Sequence, residues 1–61
     1  MPVIRVSMWT GRTKEQKVAL AKAITDSFAE IAQTKPEAVT IIFEEVDKSN
    51  WAHAGTLVSD Q

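Results

Sequence analysis

The second residue of this sequence, Pro2, could supply a base that needs no partner side chain. It directly follows Met1, and the small footprint of proline favours removal of the initiator, which would leave a secondary amine at the chain terminus. Free α-amino groups titrate at about pH 7.7–8.0, and an apolar pocket or a nearby cation lowers that value. Pro2 is therefore a candidate general base for enolisation chemistry, although a Met-Pro start also suits an ordinary edge strand.

Few other side chains offer chemistry. The sequence contains one histidine, His53, and two arginines, Arg5 and Arg12. Arg12 precedes a predicted helix, where a guanidinium could bind an anion bidentately beside the free N–H groups of the first turn; a solvated loop arginine is the plainer interpretation. We expect Arg5 to pair with Glu44 or Glu45, with a substrate role as the alternative. His53 is expected at a surface or interface, although imidazole titrates in a useful range.

Two tryptophans are candidates for an apolar pocket wall. Trp51 follows a turn and precedes small residues, so it could be core, an oligomer anchor or a pocket wall. Trp9, at the end of the first predicted strand, is a second candidate. We find no Ser/His/Asp set, no glycine-rich phosphate loop and no Cys/His cluster, so the sequence predicts neither a metal site nor a cofactor.

The composition indicates one small domain, residues 1–61, that gains stability by association. A chain of 61 residues buries only about 60% of its unfolded surface, yet 44% of these residues are hydrophobic and none is cysteine. Oligomerisation is the expected stabiliser. The net charge of -1 and the absence of a basic stripe argue against a nucleic-acid partner. No apolar run of ~18 residues and no signal peptide are visible, so we expect a cytoplasmic protein without a membrane span.

The first half of the sequence predicts a strand and a helix. Residues 2–9 alternate with a period of two, which is typical of a strand. Thr13 and Gln16 form a capping box that begins a helix, and Pro36 is expected to end it at or just before Lys35. The apolar stripe predicted on one helix face consists of Leu20, Ile24, Phe28 and Ile31, with Ala21 and Ala32 beside it.

The second half predicts another strand and a hairpin. Residues 39–46 are rich in β-branched side chains, and the run Ile41–Phe43 predicts burial on both faces. Residues 47–50 read as a turn, and residues 51–58, which include Gly55, as a small hairpin. Strand, helix and strand make one α/β unit of the βαβ type with parallel strands and a right-handed crossover. Because two strands are not stable alone in water, the sheet edges are expected to pair with another copy.

These residues resemble the 4-oxalocrotonate tautomerase family, the small-subunit branch of the tautomerase superfamily. The resemblance covers nearly the whole chain. Its motifs are Pro2 after a removable Met, Gly11-Arg12-Thr13 with Glu15-Gln16-Lys17, Pro36, Ile41-Ile42-Phe43-Glu44-Glu45, and Lys48-Ser49-Asn50-Trp51 before Gly55. The resemblance implies a tautomerase/MIF-like α+β subunit that forms dimers, three of them in a homohexamer. It also implies a cofactor-independent isomerase that moves a proton in a small enol or keto acid.

The resemblance also implies residue roles. Pro2 would be the general base, Arg12 would bind a substrate carboxylate, often across a subunit boundary, and Trp51 would match a pocket aromatic that keeps the site dry. Thr40 departs from the pattern, because the type member has there a second arginine that helps hold a dicarboxylate. Its absence favours monocarboxylate substrates unless Arg5 compensates. His53 falls where some dehalogenase relatives carry a water-activating glutamate, a role we do not transfer to it.

Two other functions stay open at this point. A lyase, acting as a hydratase, dehalogenase or decarboxylase, would use protonated Pro2 as an acid, with His53 orienting water. A non-catalytic oligomer subunit would keep the fold but retain Met1, because an acylated proline nitrogen is not basic.

Overall fold

The computed structural model describes all of residues 1–61, as a strand–helix–strand unit followed by a hairpin. Strand β1 (Val3–Trp9), helix α1 (Lys14–Ala32) and strand β2 (Thr40–Val46) form the unit, and β1 and β2 are parallel. Strands β3 (Ala52–His53) and β4 (Thr56–Leu57) pair antiparallel. The predicted βαβ unit and hairpin are confirmed, with each long strand beginning one residue later than predicted.

The two faces of the sheet differ because β1 alternates. Ile4, Val6 and Met8 are half-buried, whereas the residues between them are exposed. Ile4 lines a groove together with residues of α1, so the even-numbered residues face the helix. No layer of this chain covers the opposite face. Residues 41–43 are accordingly half-buried rather than enclosed on both sides.

Helix α1 begins as predicted and ends earlier than predicted. Thr13 Oγ1 accepts a hydrogen bond from the Gln16 N–H at 3.1 Å, and Gln16 Oε1 accepts one from the Thr13 N–H at 2.9 Å. The helix ends at Ala32 because Gln33 adopts a left-handed conformation, with φ 56° and ψ 49°. The prediction that the helix continues to about Lys35 is therefore wrong, and Pro36 instead begins a short 3-10 helix. The apolar length of α1 falls short of what crossing a bilayer requires.

The predicted apolar stripe of α1 lies on one face of the helix and is only partly buried. Ile24 and Phe28 are half-buried against the sheet, whereas Leu20 is 40% and Ile31 is 83% exposed. Because a helix turns about 100° per residue, Leu20 and Ile31 lie on the flank of the sheet-facing surface. The prediction that the four share one helix face is confirmed, since Ile24, Phe28 and Ile31 line the same groove, but a single chain buries that face only in part.

A single chain leaves much of its apolar surface open. Ala29 is the one buried residue, and the accessible surface is 4706 Å², against about 3,900 Å² expected for a compact chain of this mass. The radius of gyration is 14.5 Å, against about 10.5 Å expected. An apolar groove of about 640 Å³ runs between β1 and α1. These are properties of a subunit that packs against other chains.

Candidate active site

Pro2 lies at the entrance of β1, directly beside Thr40. Met1 is 96% exposed, and Pro2 is half-buried. The Pro2 carbonyl accepts a hydrogen bond from the Thr40 N–H at 3.0 Å. The sequence-predicted base and the position of the missing second arginine are therefore neighbours, and the Pro2 nitrogen has no role in the strand pairing.

Trp9 and Trp51 meet at the opposite end of the sheet. Their rings lie 5.8 Å apart, centroid to centroid, at an interplanar angle of 76°, an edge-to-face geometry that aromatic pairs prefer. We call this pair the aromatic wall. The Trp51 backbone is held on both sides, because its N–H donates to Lys48 O at 3.4 Å and its carbonyl accepts from the Val58 N–H at 2.8 Å. Lys48 Nζ lies 5.0 Å from the centroid of the Trp9 ring.

Arg12 lies in the loop between β1 and α1, three residues after Trp9. Gly11 makes the turn into this loop with φ 120°, a conformation that side chains with a Cβ rarely adopt. The ion pairs of the structure are Arg5–Glu44, Lys17–Glu45 and Lys22–Asp26. Arg12 takes part in none of them. Its guanidinium is a cation without a carboxylate partner, close to the start of a helix, which is an environment that favours anions.

Arg5 already has a carboxylate partner. Its Nη1 lies 2.9 Å from Glu44 Oε1, with the two side chains 65% and 43% exposed. The predicted pairing of Arg5 with a β2 glutamate is confirmed, and Glu44 rather than Glu45 is the partner. Exposed pairs of this kind stabilise by about 0–1 kcal/mol, but a substrate carboxylate would have to compete with Glu44 for Arg5. Arg5 is therefore a poor replacement for the arginine absent at Thr40.

His53 is exposed in the hairpin, opposite Thr56. The turn that follows places Ala54 at φ 53° and Gly55 at φ 83°, the two positive angles that a tight hairpin turn requires. Ala54 adopts this conformation at a cost of roughly 1–2 kcal/mol. No three His, Cys, Asp or Glu side chains gather as a metal site.

The candidate residues lie at two ends of one chain. Pro2 and Thr40 lie where the two long strands begin, whereas Trp9 ends β1, and Arg12 and Trp51 come after the strands. The seven residues of β1 separate the ends by about 20 Å. Within one chain, Pro2 and Arg12 therefore lie at opposite ends of the sheet. Sequence reasoning singled out each of these residues but not Lys48, since only the fold places its ammonium over Trp9.

Comparisons with known proteins agree over the whole fold. Residues 2–61 match the family model described as tautomerase enzyme. A probable tautomerase of Ralstonia nicotianae is 43% identical over 61 residues, covering 100% of this chain and 94% of the relative. A 2-hydroxymuconate tautomerase of Bacillus subtilis is 37% identical over 60 residues, covering 98% and 97%. The solved structure of a heterohexamer 4-oxalocrotonate tautomerase from Chloroflexus aurantiacus superimposes with a TM-score of 0.92 at 30% identity, covering 98% of this chain and 97% of the relative.

Proposed function

The chain belongs to the tautomerase family and is a 4-oxalocrotonate tautomerase-like isomerase, and from this premise we propose that Pro2 is its general base. The substrates are 2-hydroxydienoate or enolpyruvate-type acids, and no cofactor takes part. The observation that carries the proposal is the placement of Pro2. Met1 is 96% exposed, so its removal takes nothing from the packing, and the Pro2 carbonyl stays fixed to Thr40. Trimming then yields an amine at a fixed position.

The reaction is an intramolecular proton shift. The neutral amine of Pro2 takes the proton of the enol hydroxyl and returns it to a carbon of the conjugated system, so an O–H bond breaks and a C–H bond forms as the enol becomes a ketone. Arg12 binds the substrate carboxylate through two parallel hydrogen bonds and fixes its distance from Pro2. The aromatic wall, Trp9 and Trp51, excludes water and contacts the apolar tail.

The site is proposed to be shared between copies of the chain in a homohexamer built as a trimer of dimers. Two observations support sharing. The ends of the sheet are about 20 Å apart, and the apolar groove beside β1, with Ile31 83% exposed next to it, gives a second copy a surface to cover. The Chloroflexus aurantiacus relative is itself hexameric. In this arrangement, Pro2 of one copy meets Arg12 and the aromatic wall of another.

Product analysis in deuterated water tests this function against a lyase. Phenylenolpyruvate, incubated with chain whose intact mass shows a Pro2 terminus, is expected to give phenylpyruvate with deuterium at the newly protonated carbon. All heavy atoms of the substrate are retained. A product that has gained water or lost carbon dioxide would identify a lyase, and a rate equal to the uncatalysed one would reject enzyme activity on this substrate class.

Because position 40 carries a neutral threonine, Thr40, and no arginine, we expect the chain to prefer monocarboxylate over dicarboxylate substrates. The wild-type chain should have a higher kcat/KM for phenylenolpyruvate and 2-hydroxy-2,4-pentadienoate than for 2-hydroxymuconate, because a threonine hydroxyl cannot offset the cost of burying a second carboxylate. Thr40→Arg should raise kcat/KM for the dicarboxylate selectively. A hydrogen bond to a charged group contributes about 1.5–3 kcal/mol, so the increase should be about tenfold or more.

Thr40→Gln is the matched control, since it lengthens the side chain without adding charge and should leave the ratio unchanged. Steady-state kinetics on the three substrates measures the effect. A wild-type preference for the dicarboxylate of about tenfold, or about 1.4 kcal/mol, would show that another cation holds the second carboxylate.

A further inference from the structure

We propose that Lys48 is a positioning residue, which orients the aromatic wall so that it accepts a flat apolar substrate tail. The inference rests on the proposed function for what the wall does, and on the geometry around Lys48 for how the wall is held. Lys48 Nζ lies 5.0 Å from the Trp9 ring centroid, within the range of a cation–π interaction. Trp9 in turn contacts Trp51 edge to face. The Lys48 ammonium therefore contacts the Trp9 ring directly and the Trp51 ring through Trp9.

Two hydrogen bonds fix the backbone that brings Lys48 to Trp9. The Thr10 N–H donates to Val46 O at 3.2 Å, and Thr10 Oγ1 donates to Asp47 Oδ1 at 3.3 Å. Thr10 follows Trp9 directly, and Asp47 directly precedes Lys48. These hydrogen bonds therefore hold Trp9-Thr10 beside Asp47-Lys48 at the end of the sheet. The Lys48 ammonium stays within reach of the Trp9 indole face.

The contact with Trp9 is the one charged interaction that Lys48 makes. Lys48 belongs to none of the three ion pairs, although the chain carries eight acidic residues. Trp9 is 36% exposed, so packing alone leaves its ring free on one side. The hydrogen bonds of Trp51, with Lys48 and Val58, are made by its backbone and do not orient its ring. The orientation of both indoles therefore depends on the ring contact and on the ammonium that covers it.

Spectroscopy and ligand binding test this role without requiring turnover. The chain has two tryptophans and no tyrosine. The exciton couplet that two neighbouring indoles give in circular dichroism, and the near-ultraviolet spectrum, therefore report on the aromatic wall. The probes are trans-cinnamate and trans-crotonate, which are monocarboxylates with a phenyl and a methyl tail, titrated by tryptophan fluorescence. The variants are Lys48→Met and Lys48→Arg. Lys22→Met is the control, because Lys22 pairs with Asp26 on the exposed surface of α1.

Lys48→Met should weaken the couplet. It should also raise the Kd of cinnamate about two- to fivefold, the change expected when an exposed cation–π contact is lost, and leave the Kd of crotonate unchanged. Lys48→Arg should restore both signals, and Lys22→Met should alter neither. An unchanged couplet and cinnamate Kd in Lys48→Met would overturn the inference. Equal weakening of both acids would also overturn it, because Lys48 would then bind the carboxylate itself. So would wild-type chain that binds cinnamate no better than crotonate. Absence of turnover would reject only the proposed function.

Discussion

Chain that retains Met1 is expected to turn over enol acids about 10²- to 10⁴-fold more slowly than chain that begins at Pro2, the range that a general base contributes. In the untrimmed chain the Pro2 nitrogen belongs to a peptide bond, where resonance removes its basicity. Within its own chain Pro2 has no other base beside it: Thr40 is its bonded neighbour, and His53 lies in the hairpin beyond the far end of the sheet.

Chemical synthesis makes the comparison direct, since a chain of 61 residues can be assembled with or without Met1. Both forms should have the same circular dichroism, because Met1 is 96% exposed and takes no part in the packing of its own chain. Sedimentation of both forms is the control that they assemble alike. Pro2→Ala, which keeps a free amine, should retain part of the activity. Equal kcat/KM for the two synthetic forms would exclude Pro2 as the base.

The pH dependence of the trimmed chain separates the two catalytic roles of Pro2. A general base acts as the neutral amine, so kcat/KM should rise with pH and reach a plateau as the amine loses its proton. An acid acts as the protonated amine, so a lyase would lose activity over the same range. Whether kcat/KM rises or falls with pH over this range therefore assigns the role of Pro2 independently of product analysis.

Features that depend on neighbouring residues could be predicted from the sequence. The alternation of β1, the capping box of Thr13 and Gln16, and the hairpin with Gly55 are each specified within a few positions of the chain. The pairing of Arg5 with a glutamate of β2 also followed, because parallel strands of known direction bring those side chains to one face. Local chemistry thus determined the element order and the identity of the candidate residues.

Features that depend on how the elements pack against each other could not be predicted from the sequence. The spacing of Leu20 and Ile31 matched that of Ile24 and Phe28, but the rotation of α1 on the sheet left the first two exposed. The end of α1 depended on Gln33, whose left-handed conformation no glycine or asparagine signalled. The position of Lys48 over Trp9 requires the ends of β1 and β2 to be side by side, which sequence spacing alone does not specify.

Arg12→Ala is expected to lower kcat/KM for carboxylate substrates by about 2–5 kcal/mol of transition-state stabilisation, or about 30- to 5,000-fold. Arg12 is the arginine without a carboxylate partner, so its charge is available to the substrate. Arg12→Lys should restore only part of the loss, since an ammonium cannot make the bidentate contact. Neutral keto–enol substrates should be affected much less. Arg5→Ala should have the smaller effect, because it removes an exposed pair with Glu44, and a larger loss in Arg5→Ala would reverse the two assignments.

Mixed oligomers test whether Arg12 acts on a Pro2 of another copy. Chain that retains Met1 lacks the base, and Arg12→Ala chain lacks the carboxylate ligand, so each is expected to be nearly inactive alone. If the base and the arginine come from different copies, co-refolding equal amounts should restore about one quarter of the wild-type activity, because a random site then draws both functional residues with that chance. If both came from the same chain, no mixture would contain a complete site and activity would stay at the level of the parents. The separation of about 20 Å between the two ends of β1 leads us to expect recovery, and its absence from oligomers shown to be mixed by mass would contradict the shared site.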